Sequence, residues 1–422
     1  MPVLFYNIFL ILYRSAIRIS SLWNTKAKKW LTGRKNIFEK IQSEIFNAAD
    51  THSSKLIWIH CSSLGEFEQG RPVIEKIKAQ GTRHRIVLTF FSPSGYEVKK
   101  NDPGADSIFY LPMDSPKNAR RFMDLLNPSL VIFIKYDYWH YYLNEIKKRK
   151  IKCLLISAIF RKDQVFFKWY GGLQRKMLDC FTQIFVQNAE SKRLLETIQV
   201  NHYTISGDTR FDSVIAIAKN FQTIPPVEEF IGSKKCIVAG STWKKDEAAL
   251  QKVFERLRDY DLKLIIAPHE IHETHLSQLK DLFPNSVRFS ELANSQRQES
   301  KVLIIDNMGM LSRLYNLAFI TYVGGGFTRD GVHNVLEAAV YGKPLVFGKN
   351  YKKYKEAIDL IEYEGAKSFT DEEDLYQIVL TLLTDESDYR QKCLASKNYV
   401  LENRGASEKI LNYIEENRLL TN

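Results

Sequence analysis

Glu66 stands three residues after Ser63 in the stretch His60-Cys61-Ser62-Ser63-Leu64-Gly65-Glu66, just past the apolar run Lys55 to Ile59. A carboxylate in that position has two uses. S-x-x-E is a capping box, in which serine and glutamate satisfy each other's backbone donors at the start of a helix. The same carboxylate, kept ionised by a helix N-terminus and placed beside a sugar hydroxyl, is a general base. Spacing leaves both open, and a carboxylate turned inward onto its own main chain would count against the base.

Other candidates also follow apolar runs. Tyr322 to Ala339 reads YVGGGFTRDGVHNVLEAA: a strand ends in Gly324-Gly325-Gly326, and a helix is expected to open at His333-Asn334. A glycine loop before a helix N-terminus suits a phosphate. Neither G-x-G-x-x-G nor G-x-x-x-x-G-K-[ST] is present, which excludes the standard dinucleotide fingerprint and the Walker loop. Asn334 to Glu337 also fits a capping box. Three glycines with His333, Asn334 and Glu337 at one strand exit point to a nucleotide-sugar or related phosphate ligand.

Gly240-Ser241-Thr242, followed by Lys244 and Lys245, supplies donors for a phosphate or a carboxylate at another strand exit. Lys135 and Asp137 end a further run and Arg210 lies in Ser206 to Asp212; surface charge pairing fits each as well. His269, His272 and His275 recur at i, i+3 without an H-E-x-x-H, so no metal is expected there. Asp259-Tyr260-Asp261 precedes a strand, the wrong end of a sheet for a metal-diphosphate clamp.

The elements that must position these residues are legible as short apolar, β-branched runs alternating with helical patterns. KLIWIH, RIVLTFF, SLVIFI, IKCLLIS and TQIFVQ come first, then KCIVAG, LKLIIA, KVLIID, AFITYVGGG and PLVFG. That is the pattern of a doubly wound parallel α/β sheet, made twice. A chain of 422 residues with 45% hydrophobic content also exceeds one ordinary core. Pro225-Pro226 and Gly232 mark the linker, giving expected segments of 1–40 (basic N-terminal segment), 41–215, 216–234 (linker), 235–385 and 386–422. The last, charged and helical, is expected to pack back across the junction. Two such domains facing each other would put the carboxyl ends of both sheets around one cleft. Pro72 falls inside a helical pattern and predicts a kink or a later helix start.

The formal net charge of +11 is concentrated at the front, where Arg14, Arg18, Lys26, Lys28, Lys29, Arg34, Lys35 and Lys40 face only Glu39. These follow an apolar stretch from Val3 to Tyr13 broken only by Asn7. Eleven residues fall short of the ~20 that span a bilayer. The charges come after the apolar part and no small-residue cleavage site follows, which excludes a secretory signal. The segment reads as a retained anchor on an anionic membrane surface rather than a nucleic-acid arm, with the domains on the cytoplasmic side; a helix buried on its own domain is the alternative. The five cysteines, Cys61, Cys153, Cys180, Cys236 and Cys393, are odd in number and never in C-x-x-C; a reducing compartment and no structural zinc follow.

Taken in order, the pieces resemble the 3-deoxy-D-manno-octulosonic acid (Kdo) transferases that act on the lipid A precursor (lipid IVA), glycosyltransferases of the GT-B type. The family's S-[VL]-G-E motif corresponds to Ser63 to Glu66 and its G-N-L-K-F-D to Gly207 to Asp212. Its G-S-T matches Gly240 to Thr242, its D-T-M-G-E-L is similar to Asp306 to Leu311, and its G-G-H-N-x-L-E-P to Gly331 to Ala338.

The resemblance implies two facing Rossmann-like domains and Glu66 as general base toward an acceptor hydroxyl that attacks CMP-Kdo with inversion. It implies transition-state support from Arg210, where the family has lysine, and from Asp137 in Lys135 to His140, where the first family glutamate is replaced by Lys135. CMP-Kdo would be held by Gly240, Ser241, Thr242, Pro268, His269, Met308, Gly309, Met310, Asn334, Val335, Leu336 and Glu337. His269 replaces an arginine and Met310 a glutamate. No cofactor or metal is implied; the implied partners are CMP-Kdo, the lipid A precursor and the anionic face of the inner membrane. Two other readings remain open: a UDP-sugar-dependent GT-B enzyme, either a 2-epimerase or a lipid-linked hexosamine transferase, and a non-catalytic glycolipid-binding relative.

Overall fold

In the computed structural model, which describes residues 2–47, 55–81, 84–294 and 300–420, every apolar run named above becomes a strand. The chain forms two compact units, Met1–Ser213 with Arg404–Asn422, and Val214–Asn403.

The first unit is built on seven strands: β1 (Lys55–Cys61), β2 (His84–Phe90), β3 (Ser107–Tyr110), β4 (Leu130–Ile134), β5 (Lys152–Ala158), β6 (Gln183–Val186) and β7 (Tyr203–Ile205). They lie in the order β3-β2-β1-β4-β5-β6-β7, every pair parallel. Helices cover both faces, so β4 is buried along its whole length and its sequence LVIFI does not alternate. Trp58 of β1 anchors one side, edge-on to Phe122 and Phe133. The other side is closed from the far end of the chain: Ile410, Leu411 and Ile414 of the helix Ala406–Glu416 join Ile57, Ile59 and Ile132. Asp212 holds that helix start, its carboxylate accepting from the Gly405 and Ser407 N–H groups at 2.6 Å each.

The second unit repeats the plan with β8 (Lys235–Thr242), β9 (Leu262–Pro268), β10 (Val287–Arg288), β11 (Val302–Ile304), β12 (Ile320–Val323), β13 (Leu345–Gly348) and β14 (Ala366–Phe369). The order is β10-β11-β9-β8-β12-β13-β14, again parallel throughout.

Several local readings change. Pro225-Pro226 opens a helix, Pro225–Ile231, because a missing N–H costs nothing in the first turn. Pro72 lies inside one unbroken helix, Leu64–Ala79. The last stretch does not act as one piece: the helix Glu386–Glu402 stays with the second unit and only Ala406–Glu416 returns to the first. The N-terminal helix runs from Pro2 to Ser20, longer than the apolar stretch, and by length and composition could cross a membrane. Asn7, the polar break in it, accepts a hydrogen bond from the Tyr141 hydroxyl at 2.7 Å, and Tyr6 donates to Asp114 at 2.6 Å.

Where β12 ends, backbones touch. A methyl group on Gly326 would lie 2.5 Å from the Gly348 nitrogen, and one on Gly324 2.3 Å from the Ser241 carbonyl oxygen. Main chain cannot swing aside as a side chain can. Gly326→Ala is expected to destabilise the second unit by about 1–3 kcal/mol, read as a lower urea midpoint; an unchanged midpoint would show that the two loops do not meet.

Candidate functional site

In the first sheet the order turns at β1 and β4, where successive connections leave to opposite sides and open a crevice at the carboxyl ends. The helix Leu64–Ala79, which carries Glu66, follows β1; Lys135, Tyr136 and Asp137 follow β4. Lys135 takes a left-handed backbone, φ 68°, as the chain turns out of the sheet.

The cap that S-x-x-E permits is formed: Glu66 Oε2 accepts from the Ser63 N–H at 3.0 Å. The carboxyl is therefore tied to its own main chain, the arrangement that counts against a base. It is also only 9% exposed. Burial first and the nearby Asp137 charge second push its pKa up to about 8, against the opposing pull of the Ser62 and Ser63 N–H groups and Lys135. A plain surface cap would have none of this company.

Asp137 is buried too. The Ser62 hydroxyl donates to its Oδ1, and its Oδ2 lies 3.1 Å from His60 Nε2. That histidine is completely buried in β1. The Trp139 indole N–H points at the same Nε2 at 3.1 Å, while Nδ1 is 2.8 Å from Thr89 Oγ1. An indole can only donate, so Nε2 accepts and Nδ1 carries the hydrogen. Asp137 Oδ2 then faces a lone pair and meets no donor among the described residues. His60 was missed by the sequence reading, although a histidine inside the apolar run KLIWIH is itself a signal: a buried polar group needs partners.

Arg210 opens the helix Thr209–Lys219 and is paired with Asp208, Nε and Nη2 both reaching Oδ2, at 2.9 and 2.7 Å. The Tyr136 hydroxyl feels Arg161, Arg210, Glu66 and Asp208 together. The first unit therefore gathers Glu66 and Arg210 near one tyrosine, with Lys135 Nζ 5.0 Å from its ring centroid.

In the second unit the order turns at β8 and β12. Gly240, Ser241 and Thr242 end β8, with Ser241 in a left-handed backbone, φ 53°. Thr242 donates to Glu247 at 3.0 Å, and the buried Asp246 accepts from the Gly325 N–H at 3.0 Å and the Tyr322 hydroxyl at 2.7 Å. These carboxylates tie the two strand exits together. Above them Trp243, His269 and His333 stack: His269 lies 4.7 Å from the indole centroid and 4.5 Å from His333, and Trp243 Nε1 donates to His333 Nε2 at 3.0 Å. Burial and the adjoining His269 hold His333 down to about 4, a neutral acceptor.

The remaining candidates scatter by burial. Met308 is exposed and Gly309 has φ 88°, but the side chains of Met310, Val335 and Leu336 are core, and Pro268 is the buried last residue of β9. Asn334 bonds Glu337 at 2.8 Å, and the expected helix at His333-Asn334 begins only at Leu336 and lasts four residues. His275 is spent on Glu247 at 3.0 Å and His272 on Glu270 at 3.2 Å. Asp261, ahead of β9, pairs with Lys234.

Residues 35–213 match the family model described as 3-Deoxy-D-manno-octulosonic-acid transferase (kdotransferase). A bifunctional glycosyltransferase/methyltransferase of Fusobacterium nucleatum is 26% identical over 92% of this chain, which spans 58% of that protein's length. The 3-deoxy-D-manno-octulosonic acid transferase of Aquifex aeolicus is 28% identical over 74% of this chain and 80% of its own. The chain is thus similar to glycosyltransferases of the Kdo transferase family, whose model it matches over residues 35–213. In fold it is similar to UDP-GlcNAc 2-epimerase from Neisseria meningitidis, TM-score 0.61 at 16% identity, over 86% of this chain and 100% of that one. The two α/β units are thus of the GT-B kind. Of the Kdo transferase candidates, Glu66, Asp137 and Arg210 fall within the family-matched span, and Gly240 to Glu337 lie beyond it.

Because folding raises the Glu66 pKa from its ordinary 4.5 to about 8, the folded state holds a proton there that the unfolded chain gives up. Its contribution to stability is present below pH 4.5 and is lost as pH rises toward 8. Glu66→Gln is expected to resist heat better than the parent at pH 8.5 and no better at pH 4.5, read by thermal melts. Parallel melting curves across that range would mean that the carboxyl is solvated. His60→Leu should lower the melting temperature at every pH by leaving the Trp139 indole N–H without its acceptor, at a cost of about 1–3 kcal/mol.

Proposed function

We propose that this Kdo transferase relative moves Kdo from CMP-Kdo to a hydroxyl of the lipid A precursor, inverting the anomeric centre. The carrying observation is the pair Glu66 and Asp137 at the β1 and β4 exits, with the glutamate pushed up to about 8.

In this reading the acceptor oxygen bonds to the anomeric carbon as the bond from that carbon to the CMP phosphate oxygen breaks. Its proton passes to Glu66, whose raised pKa makes the ionised form a strong acceptor near neutral pH. Arg210 and Lys135 offset charge on the Kdo carboxylate and the departing CMP, and Asp137 supports the oxocarbenium-like centre. For Arg210 this asks the guanidinium to share itself between Asp208 and the ligand. CMP is held in the second unit by Gly240, Ser241, Thr242, His269, Gly309, Asn334 and Glu337, with the backbone rather than the side chains of Pro268, Met310, Val335 and Leu336. Met308 contributes from the exposed loop. A monophosphate donor asks for no metal clamp. The N-terminal helix places the enzyme on the anionic cytoplasmic face of the inner membrane.

Incubation with CMP-Kdo and tetraacyl lipid A precursor is expected to add Kdo to the lipid, read by mass. Product from UDP-GlcNAc but not from CMP-Kdo would replace this reading with a UDP-sugar enzyme. Glu66→Gln should cut the rate by about 10²–10⁴-fold and Arg210→Ala by about 10²-fold or more. The logarithm of kcat/KM should climb with pH and level near 8, as Glu66 loses its proton. Near-normal turnover by Glu66→Gln, with its pH limb intact, would remove the glutamate from the mechanism.

A further inference from the structure

The N-terminal helix has one face docked through Tyr6, Asn7 and the buried Leu10, and leaves Phe5, Phe9, Ile11, Leu12 and Ile19 exposed. Leu22 and Trp23 continue that apolar surface, at 82% and 72% exposure. Beside the second half of the helix is a cavity of about 540 Å³ lined by Arg14, Arg18, Arg34, Lys35 and Arg121, with Glu39 its one acid. Arg34 forms part of the protein's own packing: it donates to the Phe91 and Leu111 carbonyls at 2.7 and 2.9 Å and stacks on Trp30. Arg121 lies over Phe38, its guanidinium 4.6 Å from the ring centroid. Among the described residues Arg14, Arg18, Lys35 and Arg121 make no salt bridge.

Five cations held around one cavity repel one another, and Glu39 is the one counter-charge among its lining residues. A compact anion with several acceptor oxygens would relieve that repulsion, and guanidinium groups match phosphate oxygens in pairs. A soluble phosphate accounts for the cavity but not for the apolar surface next to it, and neither does a nucleic acid. A lipid accounts for both, with chains against Ile11, Leu12 and Ile19 and a headgroup among the arginines.

We propose that this cavity binds the phosphate of an anionic phospholipid, with the helix Pro2–Ser20 lying in the membrane interface. The site rests on the membrane-surface part of the function above and is independent of sugar transfer. It sets the rotation of the helix: apolar side chains down, Arg14 and Arg18 at headgroup depth.

The test is co-sedimentation of the full chain with vesicles of phosphatidylcholine alone and of phosphatidylcholine with phosphatidylglycerol. The parent is expected on both, and more tightly on the anionic ones. Arg14→Gln, Arg18→Gln and Arg121→Gln combined should weaken anionic-vesicle binding on the order of 100-fold and leave neutral-vesicle binding unchanged. Removing three charges elsewhere, at Lys147, Lys148 and Lys150, should cost far less. Lys35→Gln, an exposed single change, keeps the test valid should the triple variant fold poorly; it is expected to lose about fivefold. Equal loss from both triple variants would replace the site with diffuse attraction. Displacement by inorganic phosphate beyond that by chloride of the same ionic strength, or equal binding to a short DNA duplex, would overturn the lipid assignment. Equal binding to both vesicles would overturn the cavity and leave the membrane reading standing; binding to neither would overturn both, with transfer to detergent-dispersed acceptor untouched.

Discussion

Two carboxyl groups buried in one crevice are the constraint on which the first unit turns. Glu66 and Asp137 sit just past the ends of adjacent strands, where the topology brings the following segments together, and the Asp137 charge makes that of Glu66 harder to bear. The surroundings answer with polar contacts rather than with space. Main-chain N–H groups of Ser62 and Ser63, the Ser62 hydroxyl, Lys135 and the buried His60 are all directed at this pair. Cap and site are therefore one arrangement: the same N–H groups that start the helix stabilise the ionised glutamate that a transferase would need.

The His60 network shows how deep that support goes. Thr89, itself bonded by the Trp58 indole, holds one ring nitrogen; Trp139 donates to the other, which Asp137 approaches at 3.1 Å. The array positions Asp137 through a chain of buried hydrogen bonds. The second unit uses another device. Asp246 and Glu247 knit the β8 and β12 exits through backbone and hydroxyl groups, and the glycines just after β12 let main chains pass at contact distance. The tri-glycine that reads as a phosphate loop is thus, at Gly324 and Gly326, first a packing requirement.

The central strands were legible because strands covered on both faces need unbroken apolar runs, as in LVIFI and KLIWIH. The ones not read, β3, β7, β10 and β14, are the edges of the two sheets. They have two to four residues each, too few for a pattern. Glu66, Asp137 and Arg210 were legible as charges at strand exits, but their company was not. Nothing in the spacing shows that Arg210 is already paired with Asp208, or that Val335 and Leu336 face inward, since a four-residue helix has no periodicity to read.

The closing helix Ala406–Glu416 makes the architecture discontinuous: one fold is written in two pieces with the other inserted between them. During synthesis the apolar wall formed by Ile57, Ile59 and Ile132 leaves the ribosome long before Ile410 and Ile414 exist to cover it. The second unit, encoded without interruption, is free to mature first. Completion of the first unit thus waits on the helix Ala406–Glu416, and Asp212 is the latch that this helix must find.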